Sequence, residues 1–147
     1  MAILLKRVYN KFIASSSGSS GAPMDLVGTP CEIQLAASDE TTALTIGTSK
    51  ITFRMPYDMT VTEVRASLST AQTSGAIFTV DINQTGVSIL STKLTIDNTE
   101  KTSVSAATPP VISTGALNDD AEITIDIDQT GDGTAKGLKI TIKGTRS

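Results

Sequence analysis

The 147-residue chain has no histidine, no tryptophan and one cysteine, Cys31. Without histidine it lacks the commonest general base and the commonest transition-metal ligand. A single cysteine excludes a disulfide within the chain, a CxxC redox pair and a cysteine-cluster zinc site. Two Tyr and three Phe are the only aromatics, which leaves little for a sugar to stack on. No serine has a base at a recognisable spacing. These absences point away from an enzyme or a bound cofactor and towards a binding or structural module. No apolar run approaches the length that spans a bilayer. The opening MAILLKRVYNKFIASSS has only a short apolar stretch before Lys6-Arg7 and no charge ahead of it, so no signal peptide is expected. The sequence reads as that of a soluble protein made in a reducing cytoplasm, without a membrane partner.

Charge is unevenly placed. Residues 1–24 carry Lys6, Arg7 and Lys11 and no acid, whereas the remainder has nine basic and fifteen acidic residues, a net charge of −6. A body of that sign suits no phosphate backbone, so no nucleic-acid partner is expected. Threonine is the abundant residue, 23 against 16 serines. Its branched side chain fits the outer face of a pleated sheet while Val, Ile and Leu fill the inner one.

Three zones follow. In residues 1–14 an apolar and basic arm places Leu5, Val8, Tyr9 and Phe12 on one helical face, with Leu4, Lys6, Arg7 and Lys11 beside them. It is either a frayed end or a segment that orders on a partner. Residues 15–27 are a linker whose SSSGSSGAP stretch behaves as coil spanning roughly 15–20 Å. Residues 28–147 are the domain, and there period-2 alternation recurs. It marks Ile33 and Leu35, Leu44 and Ile46, Ile51 to Met55, Phe78 to Ile82, Ile123 to Ile127 and Leu138 to Ile142 as strands. Val87 and Ile89 pair with Leu94 and Ile96 as a hairpin in this reading, and Lys101–Val104 is a weaker strand. In TVTEVRASL the inward face changes phase between Val61 and Val64, which calls for a bulge near Thr62-Glu63. Turn signals such as Gln84-Thr85-Gly86, Pro109-Pro110 and Gly131-Asp132-Gly133 separate the runs. Eight to nine short antiparallel strands predict an all-β sandwich, and the long connection 105–121 favours a Greek-key jelly roll.

The candidate chemistry is sparse. Asp126, Asp128 and Asp132 in DIDQTGDGT, with Gly131 at the sixth position, follow part of a calcium-loop pattern. The twelfth position is Gly137, where a bidentate Glu belongs, and the flanks read as strands. The simpler reading is a strand with carboxylates on its solvent face. Asn118, Asp119 and Asp120 read as a turn capped by their own side chains. Glu63 and Arg65 share a strand face as an exposed pair without a function. Tyr57 after Pro56 is expected to pack over the end of the sandwich, and Cys31 to act as a small buried hydrophobe.

From Thr29 to Arg146 the pieces ITFRMPYDMTVTEVRASLSTA, FTVDINQTGVSILSTKLTID, TPPVIS and DDAEITIDIDQTGDGTAKGLKITIKGTR carry a resemblance. The chain resembles small jelly-roll modules of tailed-bacteriophage virion proteins, of the decoration, spike or fibre type. The resemblance implies a structural component of the virion surface, a trimer or other symmetric oligomer, and no catalytic residue. The expected function is therefore a capsid decoration protein or short head or tail fibre, synthesised in the host cytoplasm. Its arm, Leu4, Leu5, Lys6, Arg7, Val8, Tyr9, Lys11 and Phe12, would bind other capsid or tail proteins. The competing reading is a receptor- or carbohydrate-binding module of a tail fibre, bound to a host-surface glycan. A polysaccharide hydrolase would need paired carboxylates in a cleft and is the least supported.

Overall fold

Alternating apolar and hydroxyl-bearing residues become eleven antiparallel strands in the computed structural model, which describes residues 26–147. They are β1 (Pro30–Ala36), β2 (Gly47–Arg54), β3 (Met59–Ser67), β4 (Phe78–Gln84), β5 (Val87–Ser88), β6 (Leu90–Thr92), β7 (Leu94–Ile96), β8 (Val111–Ile112), β9 (Ala116–Leu117), β10 (Glu122–Gln129) and β11 (Lys139–Arg146). One 3-10 turn, Ser103–Ser105, lies between β7 and β8. The predicted arm and most of the predicted linker, residues 1–25, lie outside the described residues.

One sheet runs β1-β11-β3-β9 and the other β2-β10-β4-β5, with β7 also paired to β4. A small third pairing joins β6 to β8. Because β5 and β7 follow one edge of β4, they form a single strand interrupted at Ile89–Lys93. Counted so, with β6 and β8 set aside, eight strands remain. Their orders are 1-8-3-6 in one sheet and 2-7-4-5 in the other. The inward side chains of both sheets meet in one core. Val61, Val64, Ala66, Ile140 and Ile142 face Phe78, Val80, Ile82, Ile123, Ile125 and Ile127, all buried. The fold is thus the expected all-β sandwich.

The expected phase change in β3 is present. Lys143 pairs with Glu63 but Gly144 with Val61, so Thr62 is the extra residue. Two other expectations are corrected. Val87–Ile89 and Leu94–Ile96 do not pair with each other, because each pairs with β4. The cause is the turn at Thr85 and Gly86, where φ values of 51° and 78° fold β5 straight back onto β4. Lys101–Val104 is not a strand. Thr102 makes only an isolated bridge to Ser67, and the hydroxyls of Thr102 and Ser103 then accept the amides of Val104 and Ala66. Such local bonds replace a ladder with a turn. Leu44 is buried as expected, but Ile46 is 60% exposed and precedes β2. The connection 105–121 does cross between sheets, and it contributes β8 and β9 on the way.

Two substitutions test the packing. A Cβ on Gly144 would lie 2.1 Å from the Thr60 carbonyl oxygen, beside the bulge. Gly144→Ala is expected to destabilise by roughly 1–3 kcal/mol through backbone displacement. Phe78→Ala, at a fully buried site, is expected to cost about 3–5 kcal/mol. Urea unfolding monitored by circular dichroism measures both.

Candidate functional site

Asp126, Asp128 and Asp132 are each committed to a different task. Asp126 faces outward on β10, where its carboxylate accepts the Ser49 amide at 2.6 Å and the Asn83 side-chain amide at 3.0 Å. Ser49 has φ 51° and sits where β2 slips out of register with β10. Asp126 therefore holds an irregular strand in place. Asp128 pairs with the Lys93 ammonium at 2.7 Å. Asp132 sits in the turn after β10, where one oxygen accepts both the amide and hydroxyl of Thr73 and of Ser74. Its other oxygen accepts the amide and hydroxyl of Thr134. The candidate calcium set is thus not assembled around one point. Among the described residues no group of three or more His, Cys, Asp or Glu is placed to hold a metal ion.

Lys93 is the centre of a charged cluster that alternation alone did not reveal. It also reaches Asp81 at 3.0 Å, and the Asp81 side chain is only 6% exposed. Asp81 accepts further bonds from the Ser88 hydroxyl and the Ile82 amide. Burying a carboxylate requires such a full set of partners. The bonds to Asp128 and then Asp81 push the Lys93 ammonium above its ordinary pKa, against the effect of burial. Lys93 ends the out-looped segment between β5 and β7, so the cluster pins that segment to the outer face of the sheet.

A second polar centre ties loops together at one end of the sandwich. Gln72 is fully buried, donates to the Ala76 carbonyl and Asn98 side chain, and accepts the Gly131 amide. With Asp132 it joins the 72–76 loop to Asn98 and to the turn after β10. Hydrogen bonds from Thr134 and Thr73 hold the Asp132 carboxyl well below the usual Asp range. Asp39 does the same locally, accepting the amides of Thr42 and Thr41, which also lower its pKa.

The turn at Asn118, Asp119 and Asp120 is present, closed by the Ala121 amide on the Asn118 carbonyl. Its capping side chains come from elsewhere, because Asp58 accepts the Asp119 amide and Gln84 the Asn118 amide. Tyr57 packs against the core as expected, with the Arg146 guanidinium 4.2 Å over its ring. Burial, then the neighbouring Cys31, push the Tyr57 phenol up. Cys31 packs on the core but is half-buried rather than buried. Glu63 and Arg65 form the expected pair through Arg65 Nε, which draws the Glu63 carboxyl down. They also line a groove of about 470 Å³ with Ser103, Val104 and the Pro109-Pro110 wall. Of its lining, Glu63 and Arg65 were legible in the sequence as a pair and Pro109-Pro110 as a turn, while the groove they form was not. Arm residues Leu4 to Phe12 lie outside the described residues. No helix among the described residues is long and apolar enough to cross a membrane. No protein-family model, curated protein or solved structure matches the chain.

Two predictions follow from these clusters. Lys93→Met leaves Asp81 buried without its counter-ion and is expected to cost about 1–3 kcal/mol in urea unfolding. For Asp132 the folded pKa lies below the unfolded value near 3.8. Its contribution is therefore complete above that pH and is lost as pH falls through and below it. Asp132→Asn should lower Tm at pH 7 and flatten the decline of Tm on acidification below about pH 4. A decline as steep as that of the native chain would contradict the assignment.

Proposed function

We propose that the chain is a structural protein of a tailed-bacteriophage virion, a capsid decoration protein or short fibre component held to the particle by residues 1–14. The strand order carries this reading. Sheets of order 1-8-3-6 and 2-7-4-5 correspond to two Greek keys wound together, the jelly-roll arrangement that the sequence resemblance implies. The polar side chains add support, since the most interior of them, Gln72 and Asp81, bond loops to strands within the body. The arm differs from that body in chemistry and sign, with three basic residues and no acid ahead of a Ser/Gly stretch.

Burying four apolar arm side chains on a partner contributes roughly 6–10 kcal/mol by area. Ordering a dozen residues costs about as much. Attachment therefore relies on several copies acting together, which fits a symmetric oligomer, a trimer in our reading. Lys6, Arg7 and Lys11 add attraction to an acidic partner surface that salt weakens.

The test is co-sedimentation with virions lacking the protein. The full chain should bind, more weakly at high salt. A chain lacking residues 1–20 should keep its circular dichroism spectrum and fail to bind. Normal incorporation of the truncated chain would refute the anchor. Light scattering of the full chain should give three times the 15.3 kDa chain mass.

A further inference from the structure

The groove beside β3 has one unpaired strand position, Val64, in its floor. On this side of β3, Met59 and Thr60 pair with β9, and the Val61 amide bonds Gly115. Further along, the Ala66 amide bonds the Ser103 hydroxyl and the Leu68 amide bonds the Lys101 carbonyl. The bonds skip Val64. In an antiparallel strand every second residue directs both N–H and C=O to the same side. Val64, two residues before Ala66, therefore aims its N–H and C=O into the groove. Backbone groups in a nearly closed position rarely go without partners, and Val64 is only 3% exposed.

The facing wall cannot close this gap by itself. Pro109 and Pro110 carry no N–H, so they offer no donor to a strand beside them. The rims are apolar, with Val104 65% and Val111 50% exposed. Arg65 at the edge spends only Nε on Glu63. Its two terminal nitrogens make no bond among the described residues and keep their donors. A guanidinium fork of this kind selects a carboxylate.

We propose that this groove binds an extended peptide segment of a partner protein, which adds as a short strand at Val64, places an apolar side chain between Val104 and Val111, and sets a carboxylate on Arg65. Strand addition of this type takes affinity from main-chain bonds and specificity from alternate side chains. A volume of about 470 Å³ is within the range of sites that take small ligands, room for one or two side chains of such a segment. The chain's own arm has no acid in residues 1–24 and so offers no side-chain carboxylate to the spare donors of Arg65. The proposal does not depend on the chain being a virion protein.

The test pans yeast-displayed random seven-residue peptides against the immobilised full chain. Enriched peptides should alternate apolar residues around an Asp or Glu. Arg65→Glu, at a half-buried position on the outer face, and Val104→Asp, at an exposed one, should each weaken their binding about tenfold or more while leaving the circular dichroism spectrum unchanged. Hydrogen exchange of the Val64 amide should slow when an enriched peptide binds. Absence of an enriched family, or binding indifferent to both substitutions, would overturn the proposal. So would self-association of the chain that Arg65→Glu abolishes, since a second copy would then occupy the groove.

Discussion

Val61 and Val64 both bury their side chains, although residues three apart on a regular strand face opposite sides. The extra residue Thr62 makes this possible, and Gly144 on β11 makes Thr62 possible. A side chain at 144 would occupy the space taken by the Thr60 carbonyl. Everything beyond the bulge inherits the new phase. Ala66 and Leu68 reach the core, while Glu63 and Arg65 turn outward. The backbone of Val64 and Ala66 faces the loop that ends in Pro109 and Pro110. Had β3 stayed regular, either Val61 or the Val64–Leu68 set would point to solvent. The bulge thus fixes both the packing of the central strand and the direction in which its edge opens.

Loops in this chain are closed by carboxylates and amides, since no disulfide can form. Asp132, Asp39 and Asp126 each accept backbone amides from segments that would otherwise be held only by turn chemistry. Charge-assisted bonds of this kind are short and directional. Because Asp132 and Asp39 stay in contact with water, they need no counter-ion. Asp81 is different. It is buried against the sheet, so its charge requires a cation as well as hydrogen bonds. Lys93 supplies that cation from the segment where the edge strand leaves β4. The same pair ties the segment between β5 and β7 to β4.

Much of the sheet framework was legible in the sequence because burial imposes period two on it. The β10 run from Ile123 to Ile127 and the β11 run through Ile140 and Ile142 occupy the predicted places. The bulge was legible too, since an interrupted phase in a strand has few other causes. Pairing partners were less so. Val87 to Ile96 alternates well enough for a hairpin, but the turn at Thr85-Gly86 had already given β5 its neighbour. The acidic run Asp126 to Asp132 suggested a shared cation because spacing was visible and partners were not. Ser49, Thr73, Ser74 and Lys93 are 35 to 77 positions away from the carboxylates of that run which they meet. Polar pairing over such separations leaves no local period to read.

The division of polar labour bears on how the molecule can work. Where the carboxylates of Asp81, Asp126 and Asp132 are consumed in holding strands and loops, they are not free to act on a substrate without loosening the fold. In the proposed reading, recognition falls to features that stability does not use: the unpaired backbone of Val64, the spare donors of Arg65, and the basic segment ahead of the Ser/Gly stretch. These features share a sign, because Arg65 and the arm's Lys6, Arg7 and Lys11 all favour an acidic partner. The arm carries no acid, so the arm of one copy offers no side-chain carboxylate to the groove of another. The proposed attachments are therefore independent, one through the arm and one through the sheet edge. A rigid sandwich between two such contacts can join two partners without transmitting a conformational change, which is the requirement on a structural link.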